Sequence, residues 1–123
     1  MLFHWSDARG RVPSSSMRHF AELAAGAGAD LVVGHGTHLP AGSEIVMAAD
    51  GRSVPVLWSL GNLAAVMEVE DGEVLGDEPS VRDAMLARVL TQVGPDGRLA
   101  VRGIEVVPYW IDVSRSEIGR AHV

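Results

Sequence analysis

The chain has 123 residues, enough for one domain, and its 47% apolar and 21% charged composition excludes wholesale disorder and a coiled coil. A net charge of −6 argues against the broad basic face that duplex nucleic acid requires. With no cysteine, disulfides, thiolate zinc sites and cysteine nucleophiles are excluded.

In chain order, Leu2 to Trp5 read as the end of a short strand, and residues 6–13 as a polar loop punctuated by Gly and Pro. Pro13 with Ser14, Ser15 and Ser16 marks a helix start. Met17, Phe20, Leu23, Ala24 and Ala27 recur at helical spacing and are predicted to face a sheet, with Gly26 and Gly28 ending the helix. Leu31, Val32 and Val33, running into Gly34, read as a buried parallel strand, so helix and strand together make half of an α/β unit. Glu44–Ala48 and Val54–Ser59 are β-rich runs around Asp50-Gly51, a hairpin signal, and Pro55 suits an edge or the first residues of a strand.

Residues 68–80 carry six acids and no base and are predicted to be an exposed loop. They lack the residue order of a calcium loop. Val81–Val93 and Arg98–Tyr109 alternate as a second hairpin, turned at Gly94-Pro95-Asp96-Gly97. No run approaches the ~20 apolar residues of a membrane span. The opening MLFHWSD lacks the features of a secretory leader. A chain that opens in a strand heading for a turn reads as a piece of something longer. Residues 114–123 are set apart as a tail: its last six residues, IGRAHV, back-translate to the start of a short-read sequencing adapter. An ordinary polar tail is the alternative, because codon choice is free. His122 therefore carries no weight in the argument.

Four histidines remain, and neutral imidazole is the commonest metal ligand. His35 and His38 lie in GHGTH directly after an apolar strand, where α/β sheets place their ligands. His4 ends another predicted strand and reaches the same edge if the two strands are neighbours. Three nitrogens without a carboxylate make an incomplete set for a two-metal hydrolytic centre. A lone histidine at a strand end is ordinarily a hydrogen-bonding residue. His19 reads as a surface histidine, and Trp5 and Trp58 as core or rim packing. Glu44 suits either an acceptor that orients a histidine or a solvated strand position.

The ordered set His4-Trp5, Gly28-Ala29-Asp30, Gly34-His35, His38, Gly42 with Glu44, and Ser59-Leu60-Gly61-Asn62 resembles the capsule synthesis protein CapA family. These are poly-γ-glutamate biosynthesis proteins with a calcineurin-like metallophosphoesterase fold. The resemblance covers residues 2–63, and Ser6, Gly36, Thr37 and Ala41 depart from the family's usual residues. It implies an α/β fold: a partial metallophosphoesterase-like sandwich with a mixed β-sheet, one clear helix and C-terminal strands as antiparallel hairpins. Residues 1–113 would be the C-terminal part of such a domain, its partner being the missing N-terminal portion.

The resemblance further implies that His4, His35 and His38 bind divalent metal, two ions in the full-length protein. Mn, Fe, Zn and Co all suit imidazole ligands. Glu44 and Asn62 would support them from behind or contact substrate, and no catalytic residue is assigned. The implied substrate is a small molecule or polymer split or transferred at a phosphate or γ-glutamyl linkage, with no nucleic acid involved. The setting would be membrane-associated or extracytoplasmic capsule machinery. The chain alone is expected to be inactive. Two rivals stand beside this: a non-catalytic scaffold of the same family, and a small α/β binding module using GHGTH as an anion-binding turn.

Overall fold

The computed structural model describes residues 1–5, 11–63, 82–112 and 120–122. The acidic stretch 68–80, residues 6–10 of the first loop and most of the tail lie outside the described residues. The elements run β1 (Leu2–His4), α1 (Ser15–Gly26), β2 (Val32–His35), β3 (Pro40–Met47), β4 (Ser53–Leu60), β5 (Asp83–Val93), β6 (Leu99–Asp112) and β7 (Arg120–His122). They form a four-stranded sheet in the order β1-β2-β4-β3 and a three-stranded sheet in the order β5-β6-β7. The expected α/β class, with one helix, a mixed sheet and an antiparallel C-terminal hairpin, is what the structure shows.

β1, β2 and β4 are parallel, and β3 returns antiparallel along the outer side of β4. The predicted turn at Asp50-Gly51 joins β3 to β4, with Gly51 at φ 84°. Pro55 is the third residue of β4, an interior strand. Its missing N–H is tolerated because pairing with β2 begins one residue later, at Val32 opposite Val56.

Ser14 caps α1, its hydroxyl accepting from the Met17 N–H at 3.3 Å. At the other end Gly28, at φ 100°, lets the Ala29 N–H reach the Ala24 carbonyl at 3.0 Å and its own N–H reach that of Ala25 at 3.1 Å. The face of α1 that meets the sheet is Met17, Ala21, Ala24 and Ala25. This corrects the expected stripe: Phe20 and Leu23 are 50% and 55% exposed. Alanines bring the helix close to the sheet, and the larger residues are displaced to its flanks. The core beneath is Val32, Val54, Val56, Trp58, Trp5 and Ala48. Trp58 and Trp5 are both buried, as packing residues should be.

The β5–β6 hairpin pairs from Asp83↔Trp110 to Val93↔Leu99 and turns at Gly97, φ 76°. Side chains alternate across a strand, so Ser43, Ile45 and Pro55 lie on the sheet face away from α1. With Val101, Gly103 and Ile104 of β6 they line a cleft of about 450 Å³. Among the described residues, a β-bridge between Gly61 and Ala84 joins the two sheets near the end of β4. The hairpin has a small buried cluster of its own, Ala84, Tyr109 and Ile111.

Candidate functional site

The three parallel strands end at one edge of the sheet; His4 and His35 fall there by register, His38 on the turn that follows and Asn62 just past β4. His4 and His35 are partners across β1 and β2. Paired residues share a face, and neighbouring strands lie ~4.8 Å apart, so register places the two histidines next to each other on one face. His4 is exposed and His35 half-buried. Topology therefore joins residues that are far apart in the chain.

The edge is shaped by two glycines. A Cβ on Gly34 would sit 2.0 Å from Trp5 Nε1 and 2.3 Å from the Trp58 carbonyl. The Trp5 indole crosses β2 at that gap and donates to the Trp58 carbonyl at 2.9 Å, tying β1 to β4 over the intervening strand. Gly36 follows at φ 98°, where a Cβ would meet the Trp5 carbonyl at 2.7 Å and His4 Nε2 at 3.1 Å. The small pair Gly36-Thr37 between the histidines thus makes room for the end of β1. Thr37 is buried and closes the turn, its hydroxyl donating to the Leu39 carbonyl at 2.8 Å.

His38 sits in that turn at φ 62°, a left-handed conformation that costs a non-glycine residue about 1–2 kcal/mol. Its Nδ1 is 2.9 Å from Asn62 Oδ1, at the end of β4. With Oδ1 as acceptor, the contact is made by a proton on Nδ1. His38 is half-buried.

Glu44 has a different neighbour. It pairs in register with Val56, well down β4 from the strand ends. Both its oxygens are taken by the guanidinium of Arg18 on α1, one of them at 2.7 Å. That hydrogen bond holds its carboxyl below the usual carboxylate range and raises the Arg18 guanidinium further. Arg18 also lies 5.5 Å from the Trp58 ring centroid, a cation–π contact. The buried Trp58 Nε1 completes no hydrogen bond among the described residues, yet it faces Glu44 closely enough to help lower the carboxyl. Glu44 makes no hydrogen bond to a histidine among the described residues. His19 is exposed on α1, its ring 6.1 Å from Phe20.

In donor chemistry, the edge suits a divalent ion that takes imidazole nitrogen. In number it falls short: among the described residues, no group of three or more His, Asp or Glu side chains is gathered to hold a metal. The described residues offer two histidines paired in register and a third on the following turn, with no carboxylate grouped with them. No helix among the described residues is long and apolar enough to cross a membrane.

Two contributors to this edge had no functional assignment in the sequence. Trp5 was read as a packing residue and as half of the His4-Trp5 motif. Tyr109, whose hydroxyl donates to the Asn62 carbonyl at 2.7 Å and the Leu63 carbonyl at 3.1 Å, lies in a strand without any motif.

The model of one protein family, described as bacterial capsule synthesis protein PGA_cap, matches residues 1–67. That stretch contains His4, His35, His38, Glu44 and Asn62. No curated protein matches the chain.

Proposed function

The chain belongs to the bacterial capsule synthesis protein PGA_cap family, and from that premise we propose that it is part of a metal-dependent hydrolase or phosphoesterase acting in poly-γ-glutamate capsule assembly. The observation that carries this reading is the register partnership of His4 and His35 at the ends of adjacent parallel strands. His38, on the turn that follows, supports it as a third nitrogen donor.

In this reading His4, His35 and His38 would hold divalent metal, and Asn62 orients His38 so that Nε2 faces outward as a ligand. The Trp5–Trp58 link keeps the ends of β1, β2 and β4 in line. Glu44, engaged by Arg18, serves the packing of α1 on the sheet. The carboxylates that bridge and balance charge in a two-metal centre come from another part of the protein. The chain by itself is then a metal-binding half-site with no turnover of its own.

Zinc titration of the full chain, followed by calorimetry, tests this. Uptake is expected to weaken at least tenfold in His35→Ala and in His4→Ala, and to be unchanged in His19→Ala. Equal uptake by His35→Ala and the parent chain overturns the assignment. Metal-dependent cleavage of a phosphodiester by this chain alone overturns the half-site.

A further inference from the structure

We infer that Tyr109 is a positioning residue for the histidine edge, holding the Asn62 peptide so that the Asn62 side chain sets the ring of His38. Its functional meaning rests on the reading of His38 as a ligand; the geometry stands independently of it.

Tyr109 is buried in β6 beside Ala84 and Ile111. Its hydroxyl reaches across to the other sheet and donates to the carbonyls of Asn62, at 2.7 Å, and Leu63, at 3.1 Å. A buried phenol needs such partners, since an unpaired hydroxyl there is costly. Burial also pushes its pKa up, so it remains a neutral donor.

The Asn62 peptide is gripped from its other side as well. Gly61, at φ 77°, bridges to Ala84 and approaches so closely that a Cβ would lie 2.8 Å from the Asp83 carbonyl. Residues 61–63 are thus clamped between β5 and β6. From this clamped peptide the Asn62 Oδ1 meets His38 Nδ1 at 2.9 Å. His38 has an unfavourable backbone, φ 62°, and needs outside contacts to keep its place. The chain of contacts runs from hairpin hydroxyl to peptide, from amide to imidazole. It gives the second sheet, which bears none of His4, His35 and His38, a hold on the site.

Long-range proton–nitrogen spectra of the ¹⁵N-labelled full chain, in the absence of metal and with the rings neutral, read the His38 tautomer directly. The parent chain is expected to favour Nδ1–H at His38. Tyr109→Phe keeps the ring and deletes only the hydroxyl. It should lower the Nδ1–H to Nε2–H ratio at His38 about threefold to tenfold, the scale of one hydrogen bond, leaving His4 and His35 unmoved. Asn62→Ala should shift His38 at least as far. A His38 tautomer unchanged in Tyr109→Phe overturns the inference, even where Asn62→Ala shifts it. A second measurement needs no variant: deuterating the Tyr109 hydroxyl should displace the Asn62 carbonyl carbon resonance, and no displacement also overturns it. Zinc uptake tests the ligand assignment separately, so the two readings fail independently.

Discussion

Gly34 shows how one missing side chain organises the histidine edge. The Trp5 indole occupies the space a Cβ would fill, with Nε1 2.0 Å from that position. Gly34→Ala therefore has to push the indole away and break its bond to the Trp58 carbonyl. A loss of about 3 kcal/mol or more is expected in urea unfolding, the range for overpacking combined with a lost buried hydrogen bond. His38 makes the opposite case, because its left-handed backbone is a local cost to stability. Asparagine tolerates that conformation, so His38→Asn should stay within about 1 kcal/mol of the parent while weakening zinc uptake. Glu44 predicts a pH effect. Its carboxyl is lowered in the folded chain by the hydrogen bond from Arg18, so the native state binds fewer protons than the unfolded one in that range. The contribution is present above about pH 4.3, the ordinary glutamate value, and is lost as pH falls through the folded pKa. Acid unfolding of Glu44→Gln should be flatter in that window. The pair is solvent-exposed, so the difference should be small.

Among the elements, α1 was the most legible and the most instructive where the reading departed. Its start at Ser14 and its stop at Gly28 follow from local chemistry, a hydroxyl for orphan N–H groups and a glycine for a positive φ. The buried stripe was misjudged because Met17-Phe20-Leu23-Ala24 and Met17-Ala21-Ala24-Ala25 both fit helical spacing. Size decided between them, since only the alanine arc allows close approach to the sheet. Arg52 is the other determinant of α1's placement. From the β3–β4 turn it donates to the carbonyls of Ala25, at 2.9 Å, and Ala29, at 3.0 Å, and pairs with Asp50 at 2.7 Å. Arg52→Ala should cost about 2 kcal/mol by removing charged donors from helix-end carbonyls. Arg52→Lys should recover only part of this, lacking the fork that reaches both carbonyls.

At the scale of the molecule, two sheets of unequal strength meet at few points. The four-stranded sheet has α1 and a shared core, whereas the hairpin buries only Ala84, Tyr109 and Ile111 as a cluster among the described residues. Native-state hydrogen exchange should therefore show β5 and β6 opening at lower free energy than β2 and β4. Uniform protection across both sheets would contradict this. Apolar surface remains exposed on the larger sheet, with Leu2 75%, Ile45 60% and Met47 62% accessible. Such surface favours self-association, and light scattering should show it reduced in an Ile45→Thr, Met47→Lys variant.

The amino-acid sequence by itself determined the local elements and the candidate set. Hairpin turns, helix caps and strand alternation depend on neighbours within a few residues, so Asp50-Gly51 and the cap candidates Ser14 to Ser16 announce themselves. The placement of His35 and His38 after an apolar strand, and the ordered motifs from His4 to Asn62, were likewise legible in the chain. Tertiary structure alone decided what those residues meet. That His4 lies opposite His35, that Asn62 faces His38, that Glu44 belongs to Arg18, and that Tyr109 reaches the site from the other sheet are matters of strand order and register. Register is set by the summed packing of both sheet faces, and a shift of one residue moves every side chain to the opposite face. No local pattern encodes that choice.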